Sequence, residues 1–126
     1  MTAPTPSPKR VLVIDDEAHI REVVQVCLEC LSGWTVQVAA SGEAGLAKAV
    51  ESPPDLIVLD LMMPEMNGLS FLERLRVINL QVPVVLLTAK ANLIEPSILS
   101  KLQVVEAIAK PFDPVNLARQ LAELLE

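Results

Sequence analysis

Asp15 and Asp16, Asp60, Thr88 and Lys110 each stand directly after a short apolar run: Val11-Leu12-Val13-Ile14, Leu56-Ile57-Val58-Leu59, Val84-Val85-Leu86-Leu87 and Val104-Val105-Glu106-Ala107-Ile108-Ala109. Carboxylates brought to about 4 Å repel by about 1 kcal/mol per pair in water, and several times more at lower effective dielectric, so such a cluster calls for a cation. Oxygen donors alone suit Mg²⁺ (or Mn²⁺), which accepts carboxylates, a carbonyl, waters and a phosphoryl oxygen. His19 falls within a helical pattern, and no cysteine or serine is poised near a base, so general acid–base chemistry lacks its groups. A carboxylate that accepts a phosphoryl group needs little beyond positioning and charge neutralisation. On that chemistry Asp60 is the acceptor and becomes an acyl phosphate. Asp15, Asp16 and Asp60 hold the metal with the backbone carbonyl of Met62, and Thr88 and Lys110 meet the added phosphoryl oxygens.

These residues meet only if the apolar runs lie side by side. Short β-branched runs between helical stretches read as buried parallel strands, and parallel α/β sheets gather ligand chemistry at the carboxyl edge. Glu17 to Ser32 carries Ile20, Val23, Val24, Cys27, Leu28 and Leu31 at helical spacing and stops at Gly33. Trp34 to Ala39 alternates as a strand, and Ser41 is placed to cap a helix over Gly42 to Val50 that Ser52-Pro53-Pro54 cannot continue. Met63 to Gly68 reads as a loop into a helix bearing Leu69, Phe71, Leu72, Leu75 and Ile78, and Val82 to Leu87 as strand four. Asn92 to Leu102 contains Pro96, which predicts a short fourth helix; Asp113-Pro114 matches an N-cap and first-turn proline opening a last helix through Val115, Leu117, Ala118, Leu121, Leu124 and Leu125. Five strand–helix repeats with right-handed crossovers predict an α/β fold, a flavodoxin-like, doubly wound, three-layer (βα)5 unit whose five-stranded parallel sheet has the order 2-1-3-4-5. That order sets Asp15 and Asp16 beside Asp60.

At 126 residues the chain is one domain's worth. Residues 1–8, with Pro4, Pro6 and Pro8, are expected to form a flexible tail, leaving 9–126 as the folded domain. A net charge of −6, a pI near 4.7, one Trp, two Phe and no Tyr argue against direct binding to nucleic acid or anionic membrane. With no stretch of about 20 apolar residues and no signal-peptide core, the expected location is cytoplasmic. Cys27 and Cys30 form a C-x-x-C inside a helical pattern, without a second pair and with His19 the sole histidine; they read as reduced thiols rather than a zinc or redox site.

The sequence resembles, from Lys9 to Leu125, the receiver domain of two-component response regulators, in the manner of a single-domain chemotaxis regulator. The resemblance rests on V-L-V-I-D-D-E at Val11 to Glu17, D-L-M-M-P-E-M-N-G at Asp60 to Gly68, T-A at Thr88 and Ala89, and K-P-F at Lys110 to Phe112. It implies phosphoryl transfer to Asp60 from a phosphohistidine on a sensor histidine kinase, or exchange with a histidine phosphotransfer protein. It also implies Mg²⁺ dependence, a cis Lys110-Pro111 bond, and a switch in the surface around the fourth helix, fifth strand and last helix, read by an output protein yet to be identified. Catalysis is then confined to the chain's own phosphorylation and dephosphorylation, so it is no enzyme toward other substrates.

Several positions depart from the family pattern. Ala107 stands where an aromatic residue is usual, which truncates the usual threonine-to-aromatic switch, and Leu102-Gln103-Val104 replaces the common Gly-Ala ahead of strand five. Leu93, Ile94, Ile98 and Leu99 would make the output face apolar and hint at a partner or homodimer contact. Met62 and Lys90 occupy the positions that tune acyl-phosphate lifetime, and their bulk predicts slow hydrolysis. Glu17 reads as support for the acidic pocket rather than a ligand.

Two rival readings differ in class. A phosphohydrolase of the haloacid-dehalogenase type wants a second acid two residues after the nucleophile, where Met62 stands. A phosphate-independent binding domain retaining only the fold has Ala107 in its favour and Asp60, Thr88 and Lys110 against it. A free-standing regulator fits the chain, although a receiver excised from a larger transcriptional regulator would read the same.

Overall fold

Runs of branched aliphatic residues cannot bury both of their faces unless something covers each, and here helices do so from both sides of one sheet. The computed structural model describes residues 9–61, 68–89, 97 and 103–125. The parallel strands are β1 (Arg10–Ile14), β2 (Thr35–Ala39), β3 (Leu56–Asp60), β4 (Val84–Thr88) and β5 (Val104–Ala109), in the order β2-β1-β3-β4-β5. This is the expected 2-1-3-4-5 sheet. The helices among the described residues are α1 (Ala18–Ser32), α2 (Gly42–Glu51), α3 (Gly68–Val77) and a C-terminal helix (Pro114–Leu125).

Side chains alternate across the strands, so the core divides in two. Leu12, Ile14, Ile57, Leu59, Val84 and Leu86 pack with Ala49 of α2 and with Phe71, Leu72 and Leu75 of α3 on one face. Val11, Val13, Leu56, Val58, Val85 and Leu87 pack with Val24 and Leu28 of α1 and with Leu117 and Leu121 of the C-terminal helix on the other.

The helix ends follow their capping residues. Gly33 closes α1 in the left-handed region at φ 67°, its N–H donating to the Leu28 carbonyl. Ser41 accepts from the Ala44 N–H at 3.2 Å to start α2, and Asp113 Oδ1 accepts from the Val115 N–H at 3.1 Å to start the C-terminal helix. A glycine at position 45 lets α2 lie directly on β1, because a Cβ there would stand 2.7 Å from Ile14 Cγ1.

Some expectations shift. Strand four begins at Val84 rather than Val82, with Pro83 preceding the ladder. Ile78, expected on the core face of α3, lies past its end and is exposed, and Leu31, Val115 and Leu124 are likewise exposed, although Leu125 beside the last of them packs on the core. At β4–β5 the register skips between Val84 and Val85, which face Val104 and Glu106; Val105 is the extra residue of this irregularity and is half exposed. Cys27 and Cys30 are free thiols, half-buried and exposed respectively. The expected tail (1–8), Met62, the loop from 63, Lys90, and Leu93, Ile94, Ile98, Leu99 and Leu102 lie outside the described residues, as do the side chain of Leu69 and, apart from Ser97, the expected fourth helix.

Candidate functional site

The register of β1 and β3 pairs Ile14 with Leu59, so Asp15 and Asp60 follow as neighbours at the carboxyl edge. Asp15 and Asp60 are buried (0% and 4% exposed) and Asp16 is exposed. Their carboxylates offer one oxygen each, all within 4.8 Å of one another. Two sheet-buried acids and one solvent-facing acid at this spacing form an oxygen donor set that fits a small divalent cation, with an open side for waters and substrate.

Lys110 reaches the same point from the end of β5. Its Nζ donates to Asp15 Oδ2 at 3.0 Å and stands 3.6 Å from Asp60 Oδ1 and 3.6 Å from Glu17 Oε1. Burial by itself would lower the Lys110 pKa. The hydrogen bond to Asp15 and the charges of Asp15, Asp60 and Glu17 together outweigh burial and raise it above the ordinary lysine value. The ammonium is therefore charged throughout the neutral range, yet it is one cation against three carboxylates within 3.6 Å. Its backbone N–H donates to the Thr88 carbonyl at 2.9 Å, and the Lys110-Pro111 peptide is cis, as the resemblance implied.

Thr88 closes β4 at the same edge and is 1% exposed. It stands one residue beyond the Asp60–Leu87 register pair and opposite Ala109. Asp15, Asp16, Asp60 and Lys110 are thus brought together as the sequence predicted, with Thr88 on the neighbouring strand end; the Met62 carbonyl is outside the described residues. Glu17 behaves as support: its N–H donates to Asp15 Oδ1 at 2.9 Å, and its carboxylate shares Lys110.

One residue of this region escaped the sequence reading. Arg21 Nη1 donates to the backbone carbonyl of Asp15 at 2.8 Å, from the first turns of α1 back to the strand end. The available signal was a cation six residues past a strand-terminal acid, which the helix folds back toward that acid. A groove of about 480 Å³ opens beside Lys110, with Ile20 and Val23 of α1 and Pro111, Phe112 and Pro114 among its lining residues and His19 at its side.

Comparison with known proteins agrees with this geometry. The profile described as "Response regulator receiver domain" matches residues 11–122. The alkaline phosphatase synthesis transcriptional regulatory protein PhoP of Bacillus subtilis is 37% identical over 117 residues, covering 93% of this chain and 48% of PhoP. The phosphate regulon transcriptional regulatory protein PhoB of Pseudomonas aeruginosa is 36% identical over 121 residues, covering 93% of this chain and 52% of PhoB. The chain thus spans about half the length of the curated relatives it matches. Among solved structures, the chemotaxis response regulator CheY4 of Vibrio cholerae superposes with a TM-score of 0.85 at 30% identity, over 94% of this chain and all of that one. The response regulator TrrA of Thermotoga maritima, solved in complex with Mg²⁺-BeF, gives 0.78 at 33% identity over 93% and 99%. The acidic edge, the sheet order and these matches agree, and the chain belongs to the response regulator receiver domain family.

Proposed function

We propose that this receiver accepts a phosphoryl group on Asp60 from a phosphohistidine on a sensor histidine kinase or histidine phosphotransfer protein, and thereby switches an interaction surface around residues 92–102, β5 and the C-terminal helix. The observation that carries the reading is the convergence of Asp15, Asp16 and Asp60 within 4.8 Å, with Lys110 3.6 Å from Asp60.

An Asp60 carboxylate oxygen attacks phosphorus as the P–N bond to the donor imidazole breaks. The electron pair stays on the imidazole nitrogen, and an acyl phosphate remains on Asp60. Mg²⁺ (or Mn²⁺), held by Asp15, Asp16 and Asp60 with the Met62 carbonyl, supplies neutralising charge to the transferring group when bound. Lys110, kept protonated by its acidic neighbours, presents its ammonium to the phosphoryl oxygens, and the Thr88 hydroxyl donates to them from β4. The groove beside Lys110 offers a protein donor an apolar seat next to the acidic edge. Catalysis is confined to the chain's own phosphorylation and dephosphorylation, and the setting is the cytoplasm. Within the described residues no helix is long and apolar enough to cross a membrane.

Incubation with acetyl phosphate or phosphoramidate, followed by intact mass measurement, tests the reading. A Mg²⁺-dependent, hydroxylamine-labile gain of one phosphoryl group, absent in Asp60→Asn, is expected. No gain under any condition in folded protein would overturn it in favour of a phosphate-independent binding domain.

A further inference from the structure

We propose that Arg21 is the positioning residue of the acidic edge, setting the direction in which Asp16 leaves Asp15 and hence the affinity of the carboxylate cluster for a divalent cation. The inference rests on the metal-site reading above. Asp15 is held at four points: its N–H donates to the Ala39 carbonyl at 3.1 Å, its Oδ1 accepts from the Glu17 N–H, its Oδ2 accepts from Lys110, and its carbonyl accepts from Arg21 at 2.8 Å. The last of these differs in kind. The Asp15 carbonyl belongs to the planar peptide that joins Asp15 to Asp16, so a donor fixed on that oxygen fixes the orientation of the whole peptide plane.

Asp16 needs such a constraint. It is exposed, no hydrogen bond to its carboxylate occurs among the described residues, and it lies between the end of β1 and the start of α1. The helix start itself adds little, because Glu17 at the N-cap makes no side-chain capping bond. Arg21 is one turn into α1, its N–H already bonded to the Glu17 carbonyl at 3.1 Å, and its half-buried guanidinium reaches back to the strand end. The arginine therefore ties the rigid helix to the one peptide whose rotation would carry Asp16 away from Asp15 and Asp60. Residues that orient ligands in this way typically change metal affinity by about 10-fold or more when removed.

The sign of the effect separates positioning from charge. Removing a cation near a cation site would by Coulomb's law tighten Mg²⁺ binding, whereas removing a positioning donor weakens it. Calorimetric Mg²⁺ titration of wild type, Arg21→Met and Arg21→Lys, with unfolding midpoints to verify folding, distinguishes the two. Expected are a dissociation constant raised about 10-fold in Arg21→Met and one within about threefold of wild type in Arg21→Lys, which keeps a donor on a stem of similar length. Phosphorylation of Arg21→Met by acetyl phosphate should slow at low Mg²⁺ and recover at saturating Mg²⁺. An Arg21→Met protein that binds Mg²⁺ as tightly as wild type or more tightly overturns the assignment while leaving the site intact. A folded wild type that takes up no Mg²⁺ overturns both the assignment and the metal-site reading.

Discussion

Asp15 and Lys110, 95 positions apart in the chain, meet in a 3.0 Å hydrogen bond at the carboxyl edge of the sheet. Neither is the residue on which phosphorylation is proposed, yet the Lys110 ammonium also stands 3.6 Å from that residue's carboxylate. Asp15 is buried and uses both carboxylate oxygens, and Lys110 spans from it to Asp60. The pair joins β1 to the end of β5 across the strands that carry Asp60 and Thr88.

The clustered acids are expected to cost stability. Asp60→Asn removes a charge repelled by both Asp15 and Asp16, at the expense of its 3.6 Å ion pair with Lys110. The net gain is about 1 kcal/mol at an intermediate dielectric, which for a domain of this size raises Tm by about 3–5 °C in metal-free buffer. Mg²⁺ should then stabilise the variant less than wild type. A lower Tm without Mg²⁺ would show that the ion pair outweighs the repulsion.

The Lys110 pKa is raised in the folded protein, so its contribution to stability is fully present below the unfolded lysine value of about 10.4 and is lost as pH rises through the higher folded value. Denaturant midpoints of wild type and Lys110→Met, compared at pH 7, 9 and 11, should differ equally at the first two and begin to converge only at the third. Convergence already at pH 9 would contradict the raised pKa.

Close packing of α2 on β1 predicts coupling between Gly45 and Ile14. An alanine at 45 gains about 1 kcal/mol in helix propensity but crowds a buried Ile14, a kind of overpacking that costs about 1–3 kcal/mol. Gly45→Ala should therefore be net destabilising. Because Ile14→Val removes the methyl nearest the new Cβ, the double variant should lose less than the sum of the two single losses, as urea unfolding would reveal. Strict additivity would mean that α2 shifts outward instead.

The two thiols should behave as ordinary helix-surface groups. In a disulfide-exchange assay Cys30, which is exposed, should react faster than half-buried Cys27. Any Zn²⁺-induced rise in the unfolding midpoint should arise at the carboxylate cluster and survive Cys27→Ser and Cys30→Ser, and a reductant should leave the midpoint where it was. A metal-induced rise abolished by Cys27→Ser and Cys30→Ser would restore the metal reading that the sequence disfavours.

Much of this arrangement was legible along the chain because it depends on local rules. Branched aliphatic runs mark the strands, Ser41, Gly33 and Asp113-Pro114 mark helix ends, and a polar group follows each central strand; all of these reappear in the structure. The side-to-side order then follows from handedness and short connections, and it suffices to bring Asp15, Asp16, Asp60 and Lys110 together.

What periodicity could not supply was which positions at the margin of each apolar stripe are covered. Leu31, Ile78, Val115 and Leu124 continue apolar patterns yet stand exposed, because an amphipathic stripe records which face turns inward and not which positions at its margin a neighbour covers. The slip in register at Val105 was equally invisible, since an extra residue in a ladder is defined only by its partner strand.

The sequence by itself therefore determined the fold class, the strand-end placement of the site and the identity of its acids and lysine. Only the tertiary structure decided that Asp15 is the fully engaged carboxylate while Asp16 faces solvent, that Lys110 is shared among three acids, and that Arg21 grips the peptide between the two aspartates. Those relationships join residues on separate elements through distances of about 3 Å, a scale that backbone periodicity does not encode and that side-chain packing sets.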